Sequence, residues 1–267
     1  MPKATKQSKD VKPTISEKET TILLSTFPWN GWIGAVYVVL AFLIAQFLGS
    51  VVIGVYAGLH HWTGVYAENW LTNSVNGQFA YILIAEAVAV GGIYLFMKHY
   101  RFSFKMLGIN RPRLKYLWYA LIAIPIYYGL AVVALIISRI FAPGINVNET
   151  QQVGPSSSHG FIELALTFLS LVILPAIAEE IMVRGFLYGS LKKVMPKIGA
   201  VILTSVIFGA AHLGEGSTGL LWTAAIQFFV LSLVLIYLRE KTQSLWASMI
   251  VHAANNTVAF VSLFLIR

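Results

Sequence analysis

Seven long apolar stretches constrain the fold of this chain more than any other feature. A transmembrane helix needs about 20 mostly apolar residues, and each stretch meets or approaches that length, the fifth being the shortest. Only 11% of the 267 residues are charged and 57% are hydrophobic, which is far more apolar than a soluble globular domain. The short alternating strands of a membrane β-barrel do not occur in the sequence. We therefore expect an all-α, multi-pass transmembrane bundle of about seven helices. The stretches are Trp32–Tyr56, Phe79–Met97, Tyr116–Phe141, Phe161–Tyr188, Ile198–His212, Leu220–Leu238 and Trp246–Ile266.

The distribution of basic residues predicts how these helices are oriented. Five lysines precede the first stretch, and further lysines and arginines follow the second, fourth and sixth stretches, whereas the intervening loops carry almost none. Because basic residues concentrate on the cytoplasmic side, this alternation places the N-terminus in the cytoplasm. Residues 1–31 are expected to form a Lys-rich cytoplasmic tail and residues 32–267 a single membrane domain. The chain is thus predicted to be a multi-pass integral membrane protein, in the cell membrane if its host is prokaryotic.

The positive net charge does not indicate nucleic-acid binding. The formal net charge is +8, but the basic residues lie at the ends of the apolar stretches and do not form one basic face. Membrane lipids are therefore expected partners, and nucleic acid is not. The chain contains no cysteine, which excludes disulfides, thiolate metal sites and a cysteine nucleophile.

Costly polar residues lie inside the last apolar stretches. An ionisable side chain at membrane depth costs at least about 2.5–3.5 kcal/mol on insertion scales, so such residues are rarely present without a partner or a function. From the helical rise, the three motifs lie roughly 16–21 Å from the cytoplasmic ends of their helices, at about one level. The sequence therefore predicts one polar centre within the membrane. Its members are Glu179, Glu180 and Arg184, then Phe208 and His212, then His252 and Asn256.

Helical spacing separates the roles of the two glutamates. Glu180 and Arg184 are four positions apart, so they share a helix face and are predicted to form an ion pair. Glu179 points about 100° away from that face. We therefore interpret Glu180 as the structural partner of Arg184 and Glu179 as the carboxylate free to act as a general base.

The two histidine motifs supply the remaining groups that a hydrolytic centre needs. His252 and Asn256 are also four positions apart and are predicted to project towards one spot, where they could hold the oxyanion of a tetrahedral intermediate. His212 could hold and polarise the attacking water. Pro175 leaves the carbonyl of Leu171 without its helical donor, which either opens the helix locally or makes an ordinary transmembrane kink.

The three motifs resemble those of a known superfamily. Residues Glu179–Arg184 match EExxxR, Phe208–His212 match FxxxH and His252–Asn256 match HxxxN, the motifs of the CAAX proteases and bacteriocin-processing enzymes. That superfamily includes the type II CAAX prenyl endopeptidases and the Abi-type proteins of bacteria. The resemblance covers residues 161–267, and all three motifs occur in order on separate apolar stretches.

This resemblance implies an intramembrane glutamic endopeptidase without a cofactor. It implies that Glu179 and His212 activate water and that His252 and Asn256 stabilise the oxyanion, with Glu180, Arg184 and Phe208 in supporting positions. The expected substrate is a protein or peptide whose C-terminus is associated with the membrane, whether or not it is prenylated.

Three other interpretations stay open at this point. Glu179, His212 and His252 have the residue types of zinc or iron ligands. The chain could instead be a non-catalytic bacteriocin self-immunity or scaffold protein, or a proton-coupled transporter that uses Glu86, Glu179 and His212 as a relay. Glu86 itself is favoured as a structural acid that pairs with Arg184 or a backbone group.

Overall fold

Helices make up most of the described residues. The computed structural model describes residues 27–146, 160–216 and 219–266. Two short strands, β1 (Glu215–Gly216) and β2 (Gly219–Leu220), pair in antiparallel orientation. Phe104–Leu107 forms a 3₁₀ turn. The eight α-helices of these ranges are α1 (Gly31–Leu59), α2 (Gly64–Asn73), α3 (Val75–His99), α4 (Lys115–Phe141), α5 (Phe161–Leu191), α6 (Lys197–Ala211), α7 (Trp222–Thr242) and α8 (Leu245–Phe264).

Six of the helices are long and apolar enough to cross a membrane: α1, α3, α4, α5, α7 and α8. The predicted all-α, multi-pass bundle is confirmed, and the chain is an integral membrane protein. The prediction of seven spans needs one correction. The fifth stretch forms α6, which has 15 residues and is about 22 Å long by its helical rise, shorter than a hydrocarbon core of about 30 Å.

The bundle differs from the predicted organisation at its first residues and at helix α2. Residues 1–26 of the predicted tail lie outside the described residues, but Phe27 and Trp29 are buried against the helices. The indole of Trp29 donates to Ser190 Oγ at 2.9 Å, so this segment belongs to the folded bundle. Helix α2 was not predicted, because its ten residues have no long apolar run; the side chain of Thr63 caps it by accepting from Tyr66 N.

The bundle places large apolar side chains outward and small ones at helix contacts. Phe47 and Ile140, for example, are 67% and 69% exposed and would contact lipid acyl chains. Ala45 and Ala89 are buried where α1 packs against α3, as is usual for membrane helices that pack through small residues. Between the same two helices, the hydroxyl of Tyr37 donates to the backbone carbonyl of Gly92 at 2.8 Å.

Helix α5 is the central element of the bundle. It contacts α1, α3, α6, α7 and α8, while α4 packs on the outer side of α7 and α8. The helix that carries Glu179, Glu180 and Arg184 is therefore in contact with five other helices, and those that carry the histidine motifs are among them.

Close packing between α6 and α7 predicts a sensitive position at Gly209. A Cβ atom at this glycine would lie 2.6 Å from the backbone carbonyl oxygen of Ala225 and 3.2 Å from Cβ of Phe229. Gly209→Ala should therefore force the helices apart and destabilise the protein by about 1–3 kcal/mol, measured as a lower midpoint of thermal unfolding in detergent. Gly129→Ala is the matched control, because nothing lies within 4 Å of a Cβ atom there. Equal midpoints for the two variants would contradict this packing.

Candidate active site

Helix α5 departs from regular α-helical geometry around its acidic motif. Two π-helical segments, Leu169–Ile173 and Glu180–Leu187, flank the α-helical turn that contains Pro175. Proline has no N–H, so it cannot donate to the carbonyl of Leu171. That carbonyl instead accepts a hydrogen bond from Asn256 Nδ2 on α8, at 3.1 Å. A side chain of another helix thus replaces the missing donor, and α5 continues through the membrane. Such π-helical insertions are frequent at functional sites.

A buried ion pair lies at the centre of the polar cluster. Arg184 Nη1 donates to Glu180 Oε1 at 2.8 Å, and both side chains are fully buried, as the spacing predicted. His252 Nδ1 lies 3.0 Å from the same carboxylate oxygen. The guanidinium carbon of Arg184 lies 4.0 Å from the ring centroid of Phe208, a cation–π contact. The arginine is therefore held by groups from α5 and α6, and its carboxylate partner also binds α8.

Glu179 faces away from this ion pair, as its position on the helix predicted. Its Oε2 atom lies 3.8 Å from Nε2 of His252, which is longer than a direct hydrogen bond. The same oxygen is buried and has no hydrogen-bond partner among the residues that the structure describes. Oε2 of Glu180 is likewise buried without a partner among the described residues. The two carboxylates differ in that Glu180 Oε1 is engaged with Arg184 and His252, whereas Glu179 makes no such contact and lines a cavity.

Glu179 borders a cavity of about 320 Å³ between α1, α5 and α6. Of the described residues that line it, Glu179 and His212 are the polar ones, and the others, such as Phe42 and Met182, are apolar. Val39 and Leu43 also line the cavity and are 38% and 55% exposed. The cavity therefore reaches the lateral surface of the bundle.

A second apolar groove continues from this cavity. It has a volume of about 270 Å³ and shares Val39 and Ile207 with the first cavity. It extends along α1 and α6 to Trp32 and Leu191, which lie at the predicted cytoplasmic ends of α1 and α5. Helices α1 and α6 stand on either side of the groove without packing closely against each other. The cavity at Glu179 thus opens to the lateral surface of the bundle and, through the groove, towards the predicted cytoplasmic face.

His212 is fixed where α6 ends. Its Nδ1 lies 2.8 Å from the carbonyl oxygen of Phe208, and because a carbonyl only accepts, Nδ1 carries the proton. In the neutral ring, Nε2 is then the acceptor, and the side chain lines the cavity. The imidazole stacks on Phe228 of α7, with ring centroids 3.6 Å apart. Sequence reasoning missed Phe228, since one more aromatic residue in an apolar helix gives no signal.

Asn256 lies one helical turn beyond His252 and contacts neither Glu179 nor His212. One amide N–H is bound to the Leu171 carbonyl, and Oδ1 accepts from Asn255 Nδ2 at 3.2 Å. The other N–H remains for a further acceptor. Six of the seven motif residues thus contact one another directly or lie around one cavity. The seventh, Asn256, is hydrogen-bonded to the backbone of α5 at Leu171. The shared role of His252 and Asn256 at an oxyanion stays a prediction.

Glu86 is a half-buried acid on α3. The expected pairing with Arg184 is not observed, because Arg184 is paired with Glu180. Within the described ranges, Glu86 has no ion pair or hydrogen bond. Glu86 lies on α3, which packs against the segment of α5 that contains Glu179, and it is not joined to the buried ion pair.

The alternative set of zinc ligands does not come together in this arrangement. In the part of the chain that the structure describes, no three His, Asp or Glu side chains are placed so that they could hold a metal ion. Nδ1 of His252 and Nδ1 of His212 are already directed at Glu180 and at the Phe208 carbonyl. The side-chain geometry gives no support to a site formed by Glu179, His212 and His252.

The buried ion pair predicts a large difference between two charge-removing substitutions. Arg184→Met leaves Glu180 buried without its partner and should cost about 3–5 kcal/mol of stability. Lys197 Nζ lies 2.7 Å from Glu240 Oε2, and the lysine side chain is 59% exposed. Lys197→Met removes this exposed ion pair and should cost at most about 1 kcal/mol. Thermal unfolding of both variants in the same detergent measures the difference, and similar midpoints would contradict the role given to Arg184.

Comparison with known families supports the motif assignment. A family model described as type II CAAX prenyl endopeptidase Rce1-like matches residues 161–258, which include all three motifs. No curated protein and no solved structure matches the chain. The resemblance drawn from the motifs is therefore confirmed at the level of the family. The matched region begins with α5 and extends into α8, and the match supports placing this part of the chain in the CAAX protease superfamily.

Proposed function

We propose that this protein is an intramembrane endopeptidase in which Glu179 activates a water molecule for attack on a peptide bond. The observation that carries the proposal is the state of Glu179 Oε2. This oxygen is buried and lacks a hydrogen-bond partner among the described residues, and the Glu179 side chain lines the same cavity as His212. A carboxylate oxygen in that position can accept a hydrogen bond, and then a proton, from water that enters with the substrate.

In the first step, Glu179 and His212 hold the water between them. Glu179 Oε2 takes one proton while the water oxygen forms a bond to the scissile carbonyl carbon. The acceptor nitrogen of His212 orients the other water hydrogen. The carbonyl becomes a tetrahedral oxyanion, and Glu179 becomes a neutral carboxylic acid.

His252 is placed to act on the oxyanion. With Nδ1 directed at Glu180 at 3.0 Å, the ring turns Nε2 towards Glu179. A protonated ring in this orientation donates a hydrogen bond from Nε2 to the developing negative charge. Glu180 therefore orients His252, and the ion pair with Arg184 holds Glu180 in place. The remaining N–H of Asn256 is the second proposed donor.

In the second step the peptide bond breaks. The oxyanion collapses to a carboxyl group, the carbon–nitrogen bond is cleaved, and Glu179 returns its proton to the leaving amine. The products are a new C-terminal carboxylate and a released peptide with a free amine. The glutamate ends in its starting state, so the cycle needs no cofactor.

The shape of the cavity favours a substrate that is associated with the membrane. Its walls are apolar except for Glu179 and His212, and it is open to the side between α1 and α6. An apolar or lipid-modified chain can enter through such an opening without leaving the hydrocarbon core. The adjoining groove, towards the predicted cytoplasmic side, can accept the attached peptide. We therefore propose a protein or peptide with a membrane-associated C-terminus as the substrate.

Replacement of the proposed base is the most direct test of this mechanism. Glu179→Gln keeps the size of the side chain and should lower cleavage by about 10²–10⁴-fold, the usual contribution of general acid–base catalysis, without changing the thermal midpoint. Cleavage of farnesylated CAAX peptides and of unprenylated C-terminal peptides by purified protein measures this. Glu163→Gln is the control, because this exposed acid lies in the first turn of the same helix, where it accepts a hydrogen bond from Gly160 N, and it does not line the cavity.

Four other results would overturn the proposal. Full activity of Glu179→Gln would exclude Glu179 as the base. Inhibition by a zinc chelator, reversed by added zinc, would favour metal chemistry. No cleavage of any peptide, together with a phenotype that survives Glu179→Gln, would favour the self-immunity or scaffold alternative, and proton-dependent flux without cleavage would favour the transporter.

The lateral opening predicts a second effect of substitution. Ile207 borders both the cavity and the groove, so Ile207→Trp should obstruct the passage and lower kcat/KM by about 10-fold or more. Ile202→Trp is the matched control on the same helix, since Ile202 is 45% exposed and lines neither space. Equal kcat/KM values for the two variants would show that substrate does not pass between α1 and α6.

A further inference from the structure

A line of hydrogen bonds connects three helices to Asn256. The hydroxyl of Tyr128, on α4, is 3.3 Å from Asn255 Oδ1. Asn255 Nδ2 donates to Asn256 Oδ1 at 3.2 Å, and Asn256 Nδ2 donates to the Leu171 carbonyl at 3.1 Å. The line therefore begins on α4, passes through two neighbouring residues of α8 and ends on the backbone of α5.

All hydrogen bonds in this line run in one direction. The Leu171 carbonyl can only accept, so the atom of Asn256 that faces it must be the amide nitrogen. The other atom, Oδ1, must then accept from Asn255, which turns the oxygen of Asn255 towards Tyr128. The tyrosine hydroxyl is the only donor at the far end. The orientation of both asparagine amides is thus determined by a carbonyl at one end and a hydroxyl at the other.

This arrangement fixes the direction of the unused N–H of Asn256. An amide group is planar, so once Oδ1 and one N–H are held, the second N–H has a defined direction. A donor aimed in advance is what stabilisation of an oxyanion requires, because its orientation then costs nothing during the reaction. A free asparagine would instead rotate about its terminal bond, which has a broad torsional preference.

We propose that Tyr128 and Asn255 are positioning residues that hold the amide of Asn256 in the orientation needed for catalysis. The inference rests on the proposed endopeptidase function. It extends the active site to α4, which lies outside the matched domain at residues 161–258. Neither residue touches the substrate cavity, so both act through Asn256.

The test compares two neighbouring tyrosines. Tyr128→Phe removes the hydroxyl that donates to Asn255, and kcat should fall about 2–10-fold, the effect of one neutral hydrogen bond, while KM stays within about twofold because no substrate contact is lost. Tyr127→Phe is the control, since Tyr127 is buried on the same helix and makes no hydrogen bond within the described ranges. It should keep wild-type kcat. Asn255→Leu should reproduce the effect of Tyr128→Phe.

A double-mutant cycle separates positioning from general stabilisation of the bundle. In an Asn256→Ala background, Tyr128→Phe should have no further effect on kcat, because the amide that it positions is gone. If Asn256→Ala is too slow to measure, the cycle is run on the affinity for a peptide aldehyde, whose hydrate resembles the tetrahedral intermediate. A purely structural role would lower kcat by the same factor in both backgrounds and would lower the thermal midpoint.

The outcomes also distinguish this inference from the function on which it rests. Wild-type kcat in Tyr128→Phe, or an equal loss in the Asn256→Ala background, overturns the positioning role even if Glu179→Gln is inactive. Full activity of Glu179→Gln overturns the proposed function itself. An inactive Glu179→Gln, together with a loss in Tyr128→Phe that disappears in the Asn256→Ala background, supports both.

Discussion

The organisation of the site depends on the buried charge of Arg184. A guanidinium inside the membrane is costly unless it is paired, and here Glu180 supplies the countercharge while the ring of Phe208 covers the guanidinium. His252 binds the same carboxylate oxygen from a third helix. The pairing of one arginine therefore brings α5, α6 and α8 together. It also explains the double glutamate, since one carboxylate is committed to the arginine and the other is left available at the cavity.

The same rule of satisfying polar groups explains the irregular course of α5. Pro175 deprives the Leu171 carbonyl of its helical donor, and a bare carbonyl is unfavourable in an apolar medium. Asn256 supplies the donor and is oriented in turn by Asn255 and Tyr128. The asparagine of the third motif therefore has a structural contact in addition to its proposed catalytic one. A substitution at Asn256 would affect both, so its effect on activity alone would not identify its role.

Helical periodicity accounts for the part of the site that could be predicted from the sequence. The spacing of Glu180 and Arg184 predicted their ion pair. The 3.6 residues per turn of an α-helix predicted that Glu179 points away from that pair. Contacts between helices could not be predicted in this way. The short length of α6, the stacking of His212 on Phe228 and the hydrogen bond from Tyr128 to Asn255 all depend on how helices far apart in sequence pack together. The lateral cavity likewise exists because α1 and α6 do not close on each other.

The central claim is that Glu179 acts as a base and does not itself attack the peptide bond. Both mechanisms use the same residue, so loss of activity on substitution does not separate them. A rapidly quenched single-turnover cleavage in water enriched in oxygen-18 tests for the covalent route. Mass spectrometry of the product and of the enzyme fragment that contains Glu179 would reveal that route as an acyl adduct on Glu179 or as heavy oxygen in its carboxylate. The account predicts the heavy isotope in the new carboxylate of the product and none in Glu179. Heavy oxygen in the Glu179 carboxylate would contradict it, because that result requires a covalent acyl-glutamate intermediate that water then hydrolyses.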